Sequence, residues 1–175
     1  MRRLIHGMLR KLMLIGSNYL GTLKCFSGVL APNGNIYFAP QFREKKIKEF
    51  NPVTNVINHI DIPVITGDST SMYYGGVLAP NGNIYFCPGS ANKVLELNPD
   101  TLTTRLIGNN LIGNDKWISG VLAPNGNIYF APRNINQIGK LSGVNSPNVL
   151  STNMLIPANL ADLPTSNYNM YYNKF

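Results

Sequence analysis

Three aromatic side chains, Tyr73, Tyr74 and Trp117, and four cations, Lys24, Arg43, Lys116 and Arg133, are the residues of this sequence whose types and spacing best suit a ligand site. All of them flank one recurring phrase. Aromatic faces stack on sugar rings or bases and attract cations, while guanidinium and ammonium groups hold carboxylate or phosphate. The chemistry suggested is a repeated shallow site for a polar or anionic glycan or peptide. The competing reading is that Tyr73, Tyr74 and Trp117 wedge between neighbouring repeats and serve packing alone.

Residue types for catalysis are sparser. His6 and His59 are the only histidines, so no His-Asp-Ser arrangement recurs from repeat to repeat. Glu49 and Glu96 occupy equivalent positions, which predicts a solvated strand face rather than a paired acid and base. Asp68, Asp100 and Asp115 fall in loops, where Asp caps turns. No acidic cluster has calcium-loop spacing and no glycine-rich loop precedes a helix, so neither metal nor cofactor is expected. Cys25 and Cys87 lack CxxC spacing and histidine neighbours, and are expected as free, partly buried thiols.

The elements that must position these residues are written in the phrase itself. Gly-Val-Leu-Ala-Pro-Asn-Gly-Asn-Ile-Tyr-Phe-x-Pro occurs at 28–40, 76–88 and 120–132, with starts 48 and 44 residues apart and x being Ala39, Cys87 and Ala131. That spacing is the length of a propeller blade. Each copy predicts a hairpin: a short apolar strand, a turn at Pro-Asn-Gly-Asn, and a second strand. Asn-Gly is a strong hairpin signal, because glycine accepts the positive φ a tight return demands. Both faces of these strands are apolar, so the hairpin must be covered on both sides. Downstream, 45–50 and 56–62 flank Asn51-Pro52, and 93–97 and 103–107 flank Asn98-Pro99, which predicts a third and fourth strand joined by a proline turn. Four antiparallel strands per repeat, the inner pair more apolar than the outer, describe an all-β propeller.

The phrase, followed by a third strand ending in Leu-Asn-Pro or Phe-Asn-Pro with Thr close behind, resembles the YVTN and NHL-type β-propeller repeats over residues ~14–156. It differs from them in using Asn for Asp at the turn, and it lacks the WD and kelch signatures. The resemblance implies a shape and no particular activity, since such propellers host lyases, lactonases and pure binding platforms. In a propeller the loops joining strand two to three, and strand four to the next blade, share one face, which is where the aromatic and cationic residues named above fall.

Residues 14–27 align without a gap on 106–119, and 166–172 resemble 68–74. The expected organisation is therefore a basic arm at 1–11, the outer strand of a partial blade and its lead-in at 12–27, blades at 28–75, 76–119 and 120–158, and a lead-in to a missing blade at 159–175. Read in isolation, residues 1–15 also suit a basic amphipathic helix of the membrane-surface or targeting kind, but the alignment favours a strand from Leu12. Three blades cannot close a ring. The chain is expected either to self-associate into a closed ring or to be a fragment of a longer propeller.

Composition bounds the function classes. Of 175 residues 44% are apolar, ordinary for a packed domain, but only 13% are charged. The formal charge of +7 gathers near the N-terminus, where Arg2, Arg3, Arg10, Lys11, Lys24 and Arg43 precede the first acidic residue, Glu44. A basic stripe with interleaved aromatics is absent, which disfavours nucleic acid. No apolar run is long enough for a transmembrane helix, no secretory signal is clear, and no Asn-x-Ser/Thr acceptor fixes the compartment. The reading favoured by this pattern is a non-enzymatic binding or scaffold propeller with a protein or glycan ligand. The alternatives are an oligomeric propeller lectin, and a lyase or lactonase-like propeller enzyme, which would need a metal in its channel.

Overall fold

A computed structural model of the chain describes Leu12 and residues 25–40, 45–63 and 72–145. The expectations for 1–11, 13–24 and 146–175 lie outside the described residues. Eleven strands and no helix occur among those described: β1 Gly28–Leu30, β2 Ile36–Phe38, β3 Lys46–Asn51, β4 Val56–Asp61, β5 Tyr73–Leu78, β6 Ile84–Pro88, β7 Val94–Asn98, β8 Thr103–Ile107, β9 Trp117–Leu122, β10 Ile128–Pro132 and β11 Gly139–Leu141. They form three antiparallel sheets, ordered β1-β2-β3-β4, β5-β6-β7-β8 and β9-β10-β11. These are three propeller blades in an open array, with β5 packed beside β1 on one side and β9 on the other. The fourth strand expected of blade three lies outside the described residues.

Each repeated hairpin closes the same way. Gly34 N–H donates to the Ala31 carbonyl at 3.0 Å and Ala31 N–H to the Asn35 carbonyl at 2.9 Å, a type I turn followed by a left-handed residue. Gly34, Gly82 and Gly126 take that residue with φ of 82°, 82° and 75°. The Asn33 side-chain oxygen accepts from the Asn35 N–H at 3.0 Å, bracing the turn from within. The proline turns follow one rule as well. Asn51 Oδ1 accepts from Val53 and Thr54 N–H, and Asn98 Oδ1 from Asp100 and Thr101 N–H, all at 2.9–3.0 Å.

Two apolar layers hold the array together, one on each side of the middle blade. Tyr37, Ala39 and Ile47 of blade one meet Ile84, Phe86 and Leu95 of blade two. Val77, Tyr85 and Cys87 of blade two meet Trp117, Ile128 and Phe130 of blade three. The period-2 alternation of Ile84-Tyr85-Phe86-Cys87 thus divides one strand between two neighbours. That is why both strand faces are apolar.

Glu49 and Glu96 depart from the expected solvated strand face. Each is 5% exposed, because the register pairs Tyr37 with Glu49 and Tyr85 with Glu96 on the face that the next blade covers. The second asparagine of the repeated turn supplies the missing solvation. Asn35 Nδ2 donates to Glu49 Oε1 at 2.7 Å and Asn83 Nδ2 to Glu96 Oε1 at 2.8 Å. Glu49 also accepts from the Tyr37 hydroxyl at 2.9 Å and Asn58 Nδ2 at 3.1 Å, and Glu96 accepts both Arg105 Nε and Nη2, at 2.9 and 3.1 Å. Burial works against the Glu49 charge, but the donors Asn58, Tyr37 and Asn35 outweigh it and hold the carboxyl below its ordinary range. A depressed folded-state pKa stabilises the fold above the unfolded value, and that contribution is lost as pH falls through the folded one.

Asn35→Asp replaces a donor with a second carboxylate against Glu49. The variant is expected to lose about 2–3 kcal/mol at pH 7 in urea unfolding, from the lost charge-assisted bond and the like-charge contact. The gap to the parent should narrow in acid, where a proton shared between the two carboxylates restores a donor. An equal loss at pH 7 and in acid would reject this account of the buried carboxylate.

Candidate functional site

The inner strands and the lead-in to the first of them bring matched segments of the three blades to one end of the array. Phe26 and Ser27 lead into β1, Tyr74-Gly75-Gly76 lie in β5, and Ile118-Ser119-Gly120 lie in β9; with Arg133 they line a cavity of about 510 Å³ at the axial mouth. Phe26, Tyr74 and Ile118 are the same repeat position, so the mouth is ringed by one aromatic or aliphatic side chain per blade. The Phe26 and Tyr74 rings lie 4.9 Å apart at 54°, a tilted aromatic pair.

Tyr74 carries the polar centre of this mouth. Its hydroxyl donates to Asp115 Oδ1 and accepts from Arg133 Nη1. The guanidinium carbon also sits 5.0 Å from the Tyr74 ring centroid, a cation–π contact. Arg133 Nη1 is 3.7 Å from Asp115 Oδ1, and the two side chains are 41% and 32% exposed. A phenol is thus held between a cation and an anion that both reach solvent. Ser90 fixes the carboxylate's loop: its Oγ accepts from the Asp115 N–H at 3.0 Å.

The backbone beneath is tied as firmly. Lys116 N–H donates to the Gly89 carbonyl at 2.9 Å, Arg133 N–H to the Lys116 carbonyl at 2.8 Å and Asn134 N–H to the Asp115 carbonyl at 3.1 Å. These bonds join the strand two-to-three loops of blades two and three to the connection between the blades. The Tyr74, Asp115 and Arg133 side chains therefore project from a fixed frame.

Of the seven sequence-selected residues, Tyr74 and Arg133 meet at this mouth. Lys24 and Arg43 lie outside the described residues. Tyr73, Lys116 and Trp117 are turned inward. Tyr73 is fully buried, its hydroxyl donates to the Lys93 carbonyl at 3.1 Å, and burial pushes its pKa up. Lys116 is buried with its ammonium donating to the Gly113 and Ala91 carbonyls at 2.8 and 3.0 Å, and burial lowers its pKa. Trp117 packs on Phe130 and its indole N–H donates to the Gln137 carbonyl at 2.9 Å. The reason is alternation: along β5 and β9 adjacent residues point opposite ways, and a register shift between Tyr73 and Gly76 frees Tyr74 for the mouth.

Asp115, read from sequence as a turn cap, completes the cluster with Phe26 and Ser90, which no signal in the sequence singles out. Asp115 has φ of 51°, a left-handed conformation that its loop position hinted at and its partners explain. Cys25 is half-buried with its Sγ 4.0 Å from Lys48 Nζ, Cys87 is fully buried, and burial pushes the Cys87 thiol up to about 12. Among the described residues no three His, Cys, Asp or Glu side chains gather to hold a metal ion. His59 is exposed on the outer strand β4, away from the mouth. Among the described residues no helix is long and apolar enough to cross a membrane.

No protein-family model matches the sequence, and no curated protein matches it. Solved structures do match. A catalytically inactive histidine-to-alanine variant of virginiamycin B lyase from Staphylococcus aureus, with quinupristin, is 18% identical at a TM-score of 0.54, over 70% of this chain and 39% of that one. A streptogramin B lyase is 21% identical at a TM-score of 0.54, over 70% of this chain and 38% of that one. The chain spans well under half the length of these lyases, and the likeness is one of fold. It bears out the propeller. It also corrects the expectation of a non-enzymatic binding or scaffold protein, because these two solved propellers are lyases.

Proposed function

We propose that these blades form part of a propeller enzyme that cleaves a cyclic ester or related small molecule at the axial mouth, by elimination of the kind a lyase performs. The observation that carries the reading is the Tyr74 hydroxyl held between Asp115 and Arg133 at the wall of a solvent-open cavity. In this reading the Tyr74 oxygen takes a proton from the carbon next to a substrate carbonyl while its own proton passes to Asp115. Arg133 balances the negative charge that develops on the carbonyl oxygen. The electron pair of the broken C–H bond forms the new C=C bond, the ester C–O bond breaks, and the leaving oxygen departs as a carboxylate. Asp115 then returns its proton to water. Phe26 and Ile118 would hold the apolar part of the substrate.

The solved lyase whose histidine-to-alanine variant is inactive supports the reaction class; in this reading Tyr74 and Asp115 take the part that an imidazole would otherwise play. The finer kinship of the repeat is to the YVTN and NHL-type propellers, on the strength of the hairpin phrase and the Asn-Pro turn. Incubating the purified chain with a panel of cyclic depsipeptides and lactones, followed by mass spectrometry, tests the proposal. A linear product of unchanged mass that carries a new double bond is expected. A product heavier by one water would reassign the site to hydrolysis, and no turnover of any member of the panel would reject an enzyme at this mouth.

A further inference from the structure

The blades repeat their contacts with one another, and among the described residues the series stops at both ends of the array. Val29 of blade one lies over Gly76 of blade two, where an added Cβ would come within 2.9 Å of its Cγ2. Val77 lies over Gly120 of blade three in the same way, at 2.8 Å. The next knob in the series, Val121, has no blade over it among the described residues and is 63% exposed, against 8% for Val77. At the other end, the nearest atoms to a Cβ on Gly28 among the described residues belong to blade one's own Phe38 and Ile36. Leu30 beside it is 54% exposed, whereas the matching Leu78 and Leu122 pack against the interblade layers.

The polar contacts follow the same series. Asn33 Nδ2 and the Tyr37 hydroxyl of blade one reach the Pro99 carbonyl in blade two's proline turn, at 3.1 and 3.3 Å. In blade three the matching Asn125 Nδ2 donates to the Tyr129 hydroxyl at 3.0 Å in an exposed setting. The turn that corresponds to Pro99 at the open end of blade one is Asn51-Pro52.

We propose that the open face of blade three docks head to tail on blade one of a second copy of this chain, with Val121 seated over Gly28 and with Asn125 and Tyr129 donating to the Pro52 carbonyl. A second copy is the occupant because its blade one carries the glycine socket that blades two and three already present to their neighbours and the proline turn that blade two presents to blade one. Two copies related by a twofold along the propeller axis make this contact twice, closing a ring from the three blades of each. Closure also completes the axial mouth, since the second copy sets its own Phe26, Tyr74 and Ile118 across from the first. The inference goes beyond the proposed reaction and does not rest on it.

Sedimentation velocity of the full 175-residue chain at micromolar concentration tests it without any substrate. A dimer is expected. Val121→Asp and Leu30→Asp, both at positions exposed within a single chain, should each keep the parent's strand spectrum by circular dichroism. Each should raise the dissociation constant about 100-fold or more, because each substitution falls in both contacts of the ring. Mixing the two variants should restore part of the association, since their heterodimer regains one contact with native residues on both sides. A monomeric parent, open polymers, a dimer indifferent to both substitutions, or no gain on mixing would each overturn the proposal.

Discussion

Tyr74→Phe is expected to lower turnover about 100–1000-fold while leaving the fold intact. The substitution removes one oxygen and keeps the ring, so the tilted stack on Phe26 at 4.9 Å and the burial of the side chain persist. What disappears is the oxygen that bridges Asp115 and Arg133. The two charged side chains are partly exposed and can be solvated when the phenol is gone, which limits the stability change to about 1 kcal/mol. The loss should therefore fall on kcat, with KM changed only a few-fold, because proton transfer belongs to the transition state and the aromatic wall to binding. Arg133→Met should differ in kind, raising KM as well, since the guanidinium would also meet the substrate carbonyl. Steady-state kinetics on a substrate found in the panel, set beside urea unfolding of each variant, separates these outcomes. Activity that survives Tyr74→Phe, or that falls only in step with stability, would remove Tyr74 from the chemistry.

Gly120→Val should cost about 3 kcal/mol of stability, the largest effect on folding expected of a single substitution. A Cβ at position 120 would lie 2.8 Å from Val77 Cγ2 and 2.9 Å from Phe130 Cδ1. Valine is favoured in strands by up to about 1 kcal/mol, but its stiff χ1 leaves no way round two neighbours. Overpacking of this sort typically costs about 1–3 kcal/mol, and here both a blade interface and the blade's own hairpin must yield. Gly34→Ala provides the contrast. No atom lies within 4 Å of its Cβ position, and only the φ of 82° resists the change, which costs about 1–2 kcal/mol through the backbone. Trimming Val77 to Ala in the Gly120→Val background should recover part of the loss, a coupling that urea unfolding of the four-member cycle measures directly. Additive effects would mean that the glycine is not there to admit the valine of the blade before it.

Much of the fold was legible because its rules are local. The Asn-Gly return needs only a left-handed glycine, the Asn-Pro turn only a fixed φ and a side-chain oxygen, and both recur at matching positions in the first two repeats. The two-sided apolar pattern of Ile84 to Cys87 announced a strand covered by neighbours on each face. Less legible was which neighbour each side chain would meet. Glu49 and Glu96 read as solvated because a strand's polar residues usually face water; the sequence holds no sign that Asn35 and Asn83 reach across from the turn to replace that water. Tyr73 and Tyr74 are adjacent and identical in type, yet a register shift in β5 sends one to the interior and the other to the axial mouth.

Asp115 illustrates the same limit. It stands 41 residues from Tyr74 and 18 from Arg133 in the chain, and only the closing of two loops and a blade connection onto one another brings the three side chains together. The sequence by itself determined the blade: its strand order, its turns and the glycine and valine positions along its inner edge, since each depends on backbone preference and on alternation within a few residues. The tertiary structure decided the site, because direction and charge pairing at the mouth depend on how one blade's twist and register aim its side chains at the next, and no local preference encodes that aim.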